Sequence, residues 1–258
     1  VVFGLEDPDP RTFKKAKKIL KNKGIKTKLI QSKKYNNFYR SYLVNKKFKI
    51  PFISAKIAIS KDYYTINKKD KWITNIFSRR NAHLIRSRHD GIISTSKSIN
   101  FDNSLLNCRI EGLNNYKPDL FIIDLDLKLK KNLLLNKILK KRKTFLITHK
   151  TNIKKAQIYK KKGYRIIFIN SLVNKNDFNL LFKKIYKMGY SRILVEAGLT
   201  LLNTLIKNRL INDLYIFNSN YNLNKKGENC APLKLLKSIQ SNPMSINLDN
   251  DSLYKKEF

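Results

Sequence analysis

Five short, β-rich apolar runs recur through the second half of the chain: "DLFIID" (119–124), "TFLIT" (144–148), "YRIIFI" (164–169), "SRILVE" (191–196) and "NDLYIF" (212–217). Helix-period patterns over 131–141, 152–162, 176–188 and 199–208 separate most of them. Few folds accommodate that rhythm. Adjacent parallel strands need a long crossover, and a strand apolar on both sides must be covered on both. The alternation therefore predicts right-handed crossovers and an α/β fold with a largely parallel sheet under helices on both faces.

The first half alternates less regularly. "VVFGL" (1–5) and "IKTKLI" (25–30) read as strands around a helix, "RTFKKAKKILKNKG", closed by Gly24. Residues 35–46 read as a second helix, and Pro51 opens a strand over 51–60. A helix over 73–86, capped by Thr74 or Asn75, leads into strand 91–95. An irregular stretch follows strand 91–95. Near the end, a loop is expected around Gly227, with edge strands near 244–248 and 253–257. The plausible boundary lies at 46–50, before Pro51, and no repeat is visible.

Hydrophobic content of 42% suffices for a full core, and no apolar run is long enough to span a membrane. Charge is the loudest signal: 55 basic residues against 18 acidic ones give +37. A dedicated polyanion surface would gather lysines into a stripe. Here they decorate the polar faces of many helices, mixed with Asn and Ile, which reads as a chain-wide bias. A basic nucleic-acid-binding module remains the alternative, although no stacking motif supports it. Either way, a positive field speeds capture of anionic ligands. Cys108 and Cys230 are far apart, so neither a disulfide framework nor a zinc site is indicated, which fits a reducing cytoplasm. His83, His89 and His149 are scattered, and the first two, near Arg86 and Arg88, read as part of a solvated face and not as metal ligands. The opening "VVFGLEDPDP" lacks a methionine and reads as a fragment whose upstream part is missing.

Some residues are out of place in this pattern. Strand 191–196 ends on an acid, Glu196, and turns through Gly198 into a helix with Thr200 in its first turn. A strand–Gly–helix junction either cradles a phosphate on free amides or is plain architecture. A carboxylate at the end of a buried strand is either paired or functional. Lys56 interrupts an apolar strand, as a snorkelling edge lysine or as a site residue. Trp72, the single tryptophan, either fills core or stacks on a ring. Arg86, Asp102 and Arg109 flank a polar stretch too long for a simple connector.

In order, these residues resemble the reductase domain of the bifunctional riboflavin-biosynthesis deaminase/reductase proteins. Lys56 precedes Ser60 and Asp62, "WIT" follows at 72–74, and Arg86 and the "NFDNSLLNCR" stretch to Arg109 keep the family's spacing without a gap. "VEAGLTLLNTL" matches its V-E-x-G-x-T-L turn. The resemblance covers roughly 48–258, and residues 1–46 look like the C-terminal remnant of a cytidine-deaminase-like domain whose zinc site would lie upstream of Val1.

The resemblance implies a dihydrofolate-reductase-like three-layer fold with a mostly parallel mixed sheet, in a cytoplasmic homodimer. It implies NADPH-dependent reduction of the ribose of 5-amino-6-(5-phosphoribosylamino)uracil. NADPH would meet Ile59, Trp72, Ser98, Asp102 and the turn Gly198, Leu199, Thr200, Leu201, Leu202, Asn203 and Thr204. The phosphorylated pyrimidine would meet Asp70, Arg86, Leu106, Arg109 and Glu196, with the two arginines on its phosphate. Lys56 and Glu196 are the candidates for proton handling. Three positions depart from the family: Asp70 and Leu125 replace serines, and Tyr63 replaces a glycine. A pterin reductase of the same fold is a further alternative, and the paired arginines argue against it because a pterin carries no phosphate.

Overall fold

The computed structural model describes residues 1–30, 32–232, 235 and 242–258. It divides into two compact units, Val1–Phe52 with Phe182–Ser191, and Ile53–Leu181 with Arg192–Phe258.

In the first unit, β1 (Val2–Phe3) pairs in parallel with β2 (Lys28–Leu29), joined through α1 (Lys15–Asn22). The helix expected over 35–46 is two helices, α2 (Lys33–Phe38) and α3 (Arg40–Phe48), broken at Tyr39. Ser32 starts α2 by accepting from the Lys34 amide, a cap that fixes where the helix begins. Asp9, though 5% exposed, is satisfied by Arg11 at 2.8 Å and Lys46 at 2.7 Å.

The second unit is built on β3 (Phe52–Ile59), β5 (Gly91–Thr95), β6 (Asp119–Ile123), β7 (Thr144–His149), β8 (Arg165–Ile169), β9 (Arg192–Val195), β10 (Asp213–Asn218) and β12 (Ser252–Glu257). Their order across the sheet is β12-β10-β3-β9-β5-β6-β7-β8. β3 runs parallel to β10, and β9, β6, β7 and β8 parallel to their neighbours, while β12 is antiparallel to β10. The chain steps outward from β5 to β8, returns to β9 beside β5, and moves on to β10. Right-handed crossovers send the helices of the outward and return legs to opposite faces. α4 (Ile76–Ser87), α5 (Ser96–Asp102) and α6 (Ile153–Lys161) belong to the outward leg. α8 (Leu199–Lys207) belongs to the return, and α7 (Lys175–Lys187) connects β8 to β9, running from the second unit into the first. This is the three-layer, dihydrofolate-reductase-like arrangement that the resemblance implied.

On the α4 face, Ile92, Leu120, Ile122, Leu146 and Leu194 pack with Ala82 and Ile85 in one buried cluster. Phe121 and Phe145, alternate residues on neighbouring strands, stack with centroids 4.6 Å apart. Gly91 is required by this packing, since a Cβ there would lie 2.8 Å from the Phe121 ring and 2.9 Å from Ile193.

Four local expectations are corrected. The helix over 131–141 is only a short 3-10 turn, Leu134–Ile138, because buried Leu133, Leu135 and Leu139 do not follow an α-helical period. The irregular stretch holds α5, whose start is fixed by Thr95 accepting from the Ser98 amide. The loop around Gly227 is a strand, β11 (Gly227–Cys230), paired antiparallel with an unexpected β4 (Tyr64–Asn67). Residues 244–248 form no strand: Leu248 makes only an isolated bridge to Asn250, whereas 253–257 lie in β12.

Candidate active site

The site begins where β9 stops. The Glu196 amide still donates to the Ile93 carbonyl at 2.9 Å, so the residue stays in line with β5 although its own strand has ended. Alternation puts its side chain on the face of Leu194, the face that α4 covers. Arg86, in the last turn of α4, meets it in two parallel bonds, Nε to Oε1 at 2.6 Å and Nη2 to Oε2 at 2.9 Å. Lys56 of β3 brings its Nζ to 3.8 Å from the same carboxylate. Burial alone would raise the Glu196 carboxyl; the Arg86 ion pair, with Lys56 behind it, holds it instead at about 2. Burial lowers Lys56 below the ordinary lysine value against the pull of Glu196, so its ammonium releases a proton more readily than a surface lysine. A buried carboxylate held bidentate, beside a poised lysine, is therefore fixed in both charge and place.

The arginines are not equivalent. Arg86 spends Nη1 on the Asn107 carbonyl at 3.1 Å as well, so most of its donors are committed inside the protein. Arg109 is exposed and bonds the Asn107 side chain at 2.9 Å through one nitrogen. Between them lies His83, read from sequence as part of a solvated face but buried here, as is His89. Both lie on the inward side of α4 or just beyond its end, in phase with Ser78, Ala82 and Ile85. Burial, reinforced by Arg86 and Arg109, depresses His83 to about 4. The ring is thus neutral near pH 7, and Nδ1 lies 3.1 Å from the Asn107 carbonyl and 3.2 Å from the Arg109 amide, donating to the first or accepting from the second according to the tautomer. His83 and Asn107 are the site residues that sequence reasoning missed; the helical phase of α4 held the signal for the first.

The third component is the start of α8. Gly198 occupies the cap position without a side-chain cap, so the first-turn amides have no partner within the helix. Its own amide donates to Ser98 Oγ at 3.2 Å, and that hydroxyl also meets Thr95 Oγ1 at 3.0 Å. Positions 98 and 198 are thereby joined. A Cβ at Gly198 would meet only Ser98 Oγ among the described residues, at 3.8 Å, so there is room beside the cap position, and uncapped amides of this kind suit an anionic group such as a phosphate. Leu199, Thr200 and Leu201 form the first turn and Asn203 is exposed. Leu202 is buried in the core, and the Thr204 hydroxyl is engaged with the Thr200 carbonyl at 2.9 Å.

The remaining residues are spread around this centre. Asp102 ends α5, where desolvation raises its carboxyl against the opposing charges of Lys71 and Lys56. Trp72 is 46% exposed with the Arg79 guanidinium stacked 4.7 Å from its ring, and Asp70 accepts the Trp72 amide at 3.3 Å. Leu106 is buried in a left-handed conformation, φ 49°. Ile59 is fully buried and, three residues along β3 from Lys56, points to the other face of the sheet. Leu125 contributes its carbonyl to Thr148, at 2.8 Å, and Asn152, at 2.7 Å. Two cavities, of about 540 and 410 Å³, are lined by Gly4, Asp7 and three tyrosines and by residues along α6 and β8; neither includes a residue of the Glu196 cluster.

Comparison with known proteins matches residues 51–220 to the family described as the RibD C-terminal domain. Over 245 residues the chain is 29% identical to the riboflavin biosynthesis protein RibD of Buchnera aphidicola subsp. Baizongia pistaciae, covering 84% of this chain and 61% of that one. The chain thus spans about three-fifths of the length of that relative. A 5-amino-6-(5-phosphoribosylamino)uracil reductase of Buchnera aphidicola subsp. Acyrthosiphon pisum is 30% identical over 160 residues, 58% of this chain and 75% of its own. In fold, the chain superposes on Acinetobacter baumannii RibD with a TM-score of 0.76 at 20% identity, covering 99% of this chain and 71% of that one.

Proposed function

The chain belongs to the family of the RibD C-terminal domain, and from that premise we propose that it reduces the ribose of 5-amino-6-(5-phosphoribosylamino)uracil to the ribitylamino product with NADPH, in riboflavin biosynthesis. The observation that carries the reading is the Glu196 carboxylate, gripped by Arg86 and approached by Lys56, with Arg109 left exposed beside it. That set provides an acceptor for sugar hydroxyls, a proton source and an anion grip in one place.

The residues divide by charge. Arg109, with the charge of Arg86 behind it, takes the 5-phosphate. Glu196, fixed as an anion, accepts hydroxyls of the opened sugar and so orients C1′. Lys56 holds the proton that the substrate needs as its carbon is reduced. The open amides of α8, with Ser98 and Gly198, would hold the NADPH diphosphate, and Trp72 and Asp102 would border its nicotinamide end. When bound, NADPH supplies the hydride. Residues 48–258 form the reductase domain on this reading, and residues 1–46 the end of a deaminase-like domain. A cytoplasmic homodimer is the expected form. No described helix is long and apolar enough to cross a membrane.

Trp72 is the single tryptophan, so NADPH binding should quench the protein's indole fluorescence, and adding the phosphorylated pyrimidine should then consume the absorbance near 340 nm (roughly the reduced nicotinamide band). Absence of NADPH binding at micromolar protein would overturn the proposal, and faster turnover of a pterin would change the substrate. Arg109→Ala should raise KM for the phosphorylated substrate about 10- to 100-fold, the scale of a lost charge-assisted bond, and leave KM for NADPH nearly unchanged. Equal effects on both would reassign Arg109.

A further inference from the structure

Arg142, two residues before β7, is 2% exposed, and each of its three nitrogens donates to a main-chain carbonyl. Nε reaches Pro118 at 2.6 Å, Nη2 reaches Leu106 at 2.8 Å, and Nη1 bonds Leu105. Burial lowers the guanidinium to about 10, which still leaves it charged at neutral pH.

The pattern of acceptors is informative. Leu105 and Leu106 contribute the carbonyls on either side of the Leu106 α-carbon, so both peptide planes that define this residue's backbone conformation are tied to one rigid fork. Leu106 has φ 49°, a conformation unfavourable for leucine and not self-supporting. The third acceptor, Pro118, follows Lys117, whose carbonyl receives the Cys108 amide at 2.8 Å. Arg142 thereby closes the segment 106–118 at both ends. Within it, Asn107 accepts from Arg86 through its carbonyl and from Arg109 through its side chain. The spacing between the two arginines therefore depends on where Asn107 is held.

We infer that Arg142 is a positioning residue for the anion grip: by fixing the peptide planes around Leu106 it sets Asn107, and through Asn107 the place of Arg109 relative to Arg86. This rests on the reading of Arg109 as the phosphate contact. It touches neither substrate nor cofactor.

Arg142→Lys keeps the charge but replaces a three-armed fork with one ammonium. It should remain folded by circular dichroism, speed amide exchange over 103–109, and weaken binding of inorganic phosphate at least about fivefold by titration. In turnover it should raise KM for the phosphorylated substrate about tenfold while KM for NADPH stays within about twofold. Arg142→Met should do the same more strongly; should it fail to fold, the lysine variant and phosphate titration decide alone. Unchanged phosphate affinity, or equal rises in both KM values, overturns the inference. Phosphate binding is read without turnover, so a wild type that binds phosphate but does not reduce the pyrimidine ribotide sinks the functional reading separately.

Discussion

Tyr63 adopts φ 70° at the turn after Ser60 and Asp62, with its amide donating to the Ser60 carbonyl at 2.9 Å. The family resembled has glycine here, and the left-handed conformation explains why: an L-residue with a bulky side chain is strained there. Tyr63→Gly should stabilise the protein by on the order of 0.5–1 kcal/mol, the strain relieved less the extra freedom of glycine in the unfolded chain. The check is a higher urea midpoint at an unchanged slope; a lower midpoint would mean that the ring's contacts outweigh the strain. Glu196 is a site where one atom change should be costly. Glu196→Gln leaves Arg86 and Lys56 buried without their counter-charge, and the expected loss is about 3–5 kcal/mol together with activity. A variant of wild-type stability would mean that the cluster is solvated in solution. Glu196 and Lys56 were legible because each breaks an apolar strand, whereas Arg86 and Arg109 stood out only through the order of residues shared with the family resembled. His83 was not legible, since arginines nearby made it look solvated although Ser78, Ala82 and Ile85 already marked its face as inward. The commitment of Arg86 to Glu196 was also hidden, because that pair lies 110 residues apart.

At the level of elements, what the sequence made plain were the apolar strands β6 to β10, of which the edge strand β8 is only partly buried. The pairing of β4 with β11 was not legible. Gly227–Cys230 is short and polar, and its register with Tyr64–Asn67 is set by chain more than 150 residues away. α5 was masked for a related reason: its serines and asparagine are weak helix formers, and the Thr95 cap fixes its start. The junction of β9 and α8 was read correctly as strand, turn and helix, yet sequence could not separate a ligand cradle from simple architecture. Gly198→Val separates them. Gly198 has φ −66°, open to any residue, and a Cβ there meets nothing closer than 3.8 Å, so the fold should tolerate the change with a stability loss within about 1 kcal/mol. NADPH affinity, followed by tryptophan quenching, should fall at least about tenfold, because the side chain occupies the space above the amides. Retained affinity would make the junction architecture only.

The molecule as a whole carries +37, and no single element explains that charge. Self-repulsion of this size lowers the stability of the compact state and makes further protonation unfavourable. Two buried histidines connect that field to pH. His89, like His83, is depressed by burial, to about 4. Its Nδ1 donates to the Ile85 carbonyl at 2.7 Å, and Nε2 is buried with no hydrogen-bond partner among the described residues, so a second proton would find no acceptor among them. Since both rings titrate near 4 when folded and near 6.5 when unfolded, the unfolded chain binds more protons between those values. Stability is therefore complete above pH 6.5 and falls as pH drops towards 4. Glu196, held at about 2 against 4.5 unfolded, adds a further loss only below pH 4.5. Each histidine should contribute on the order of 3 kcal/mol across its whole window. The urea midpoint should accordingly be lower at pH 5 than at pH 7. His89→Asn, whose amide can take over the bond to Ile85, should remove roughly half of that difference. Equal midpoints at pH 5 and pH 7 in the wild type would mean that both rings reach solvent, and that the inward face of α4 is looser than its packing against the sheet requires.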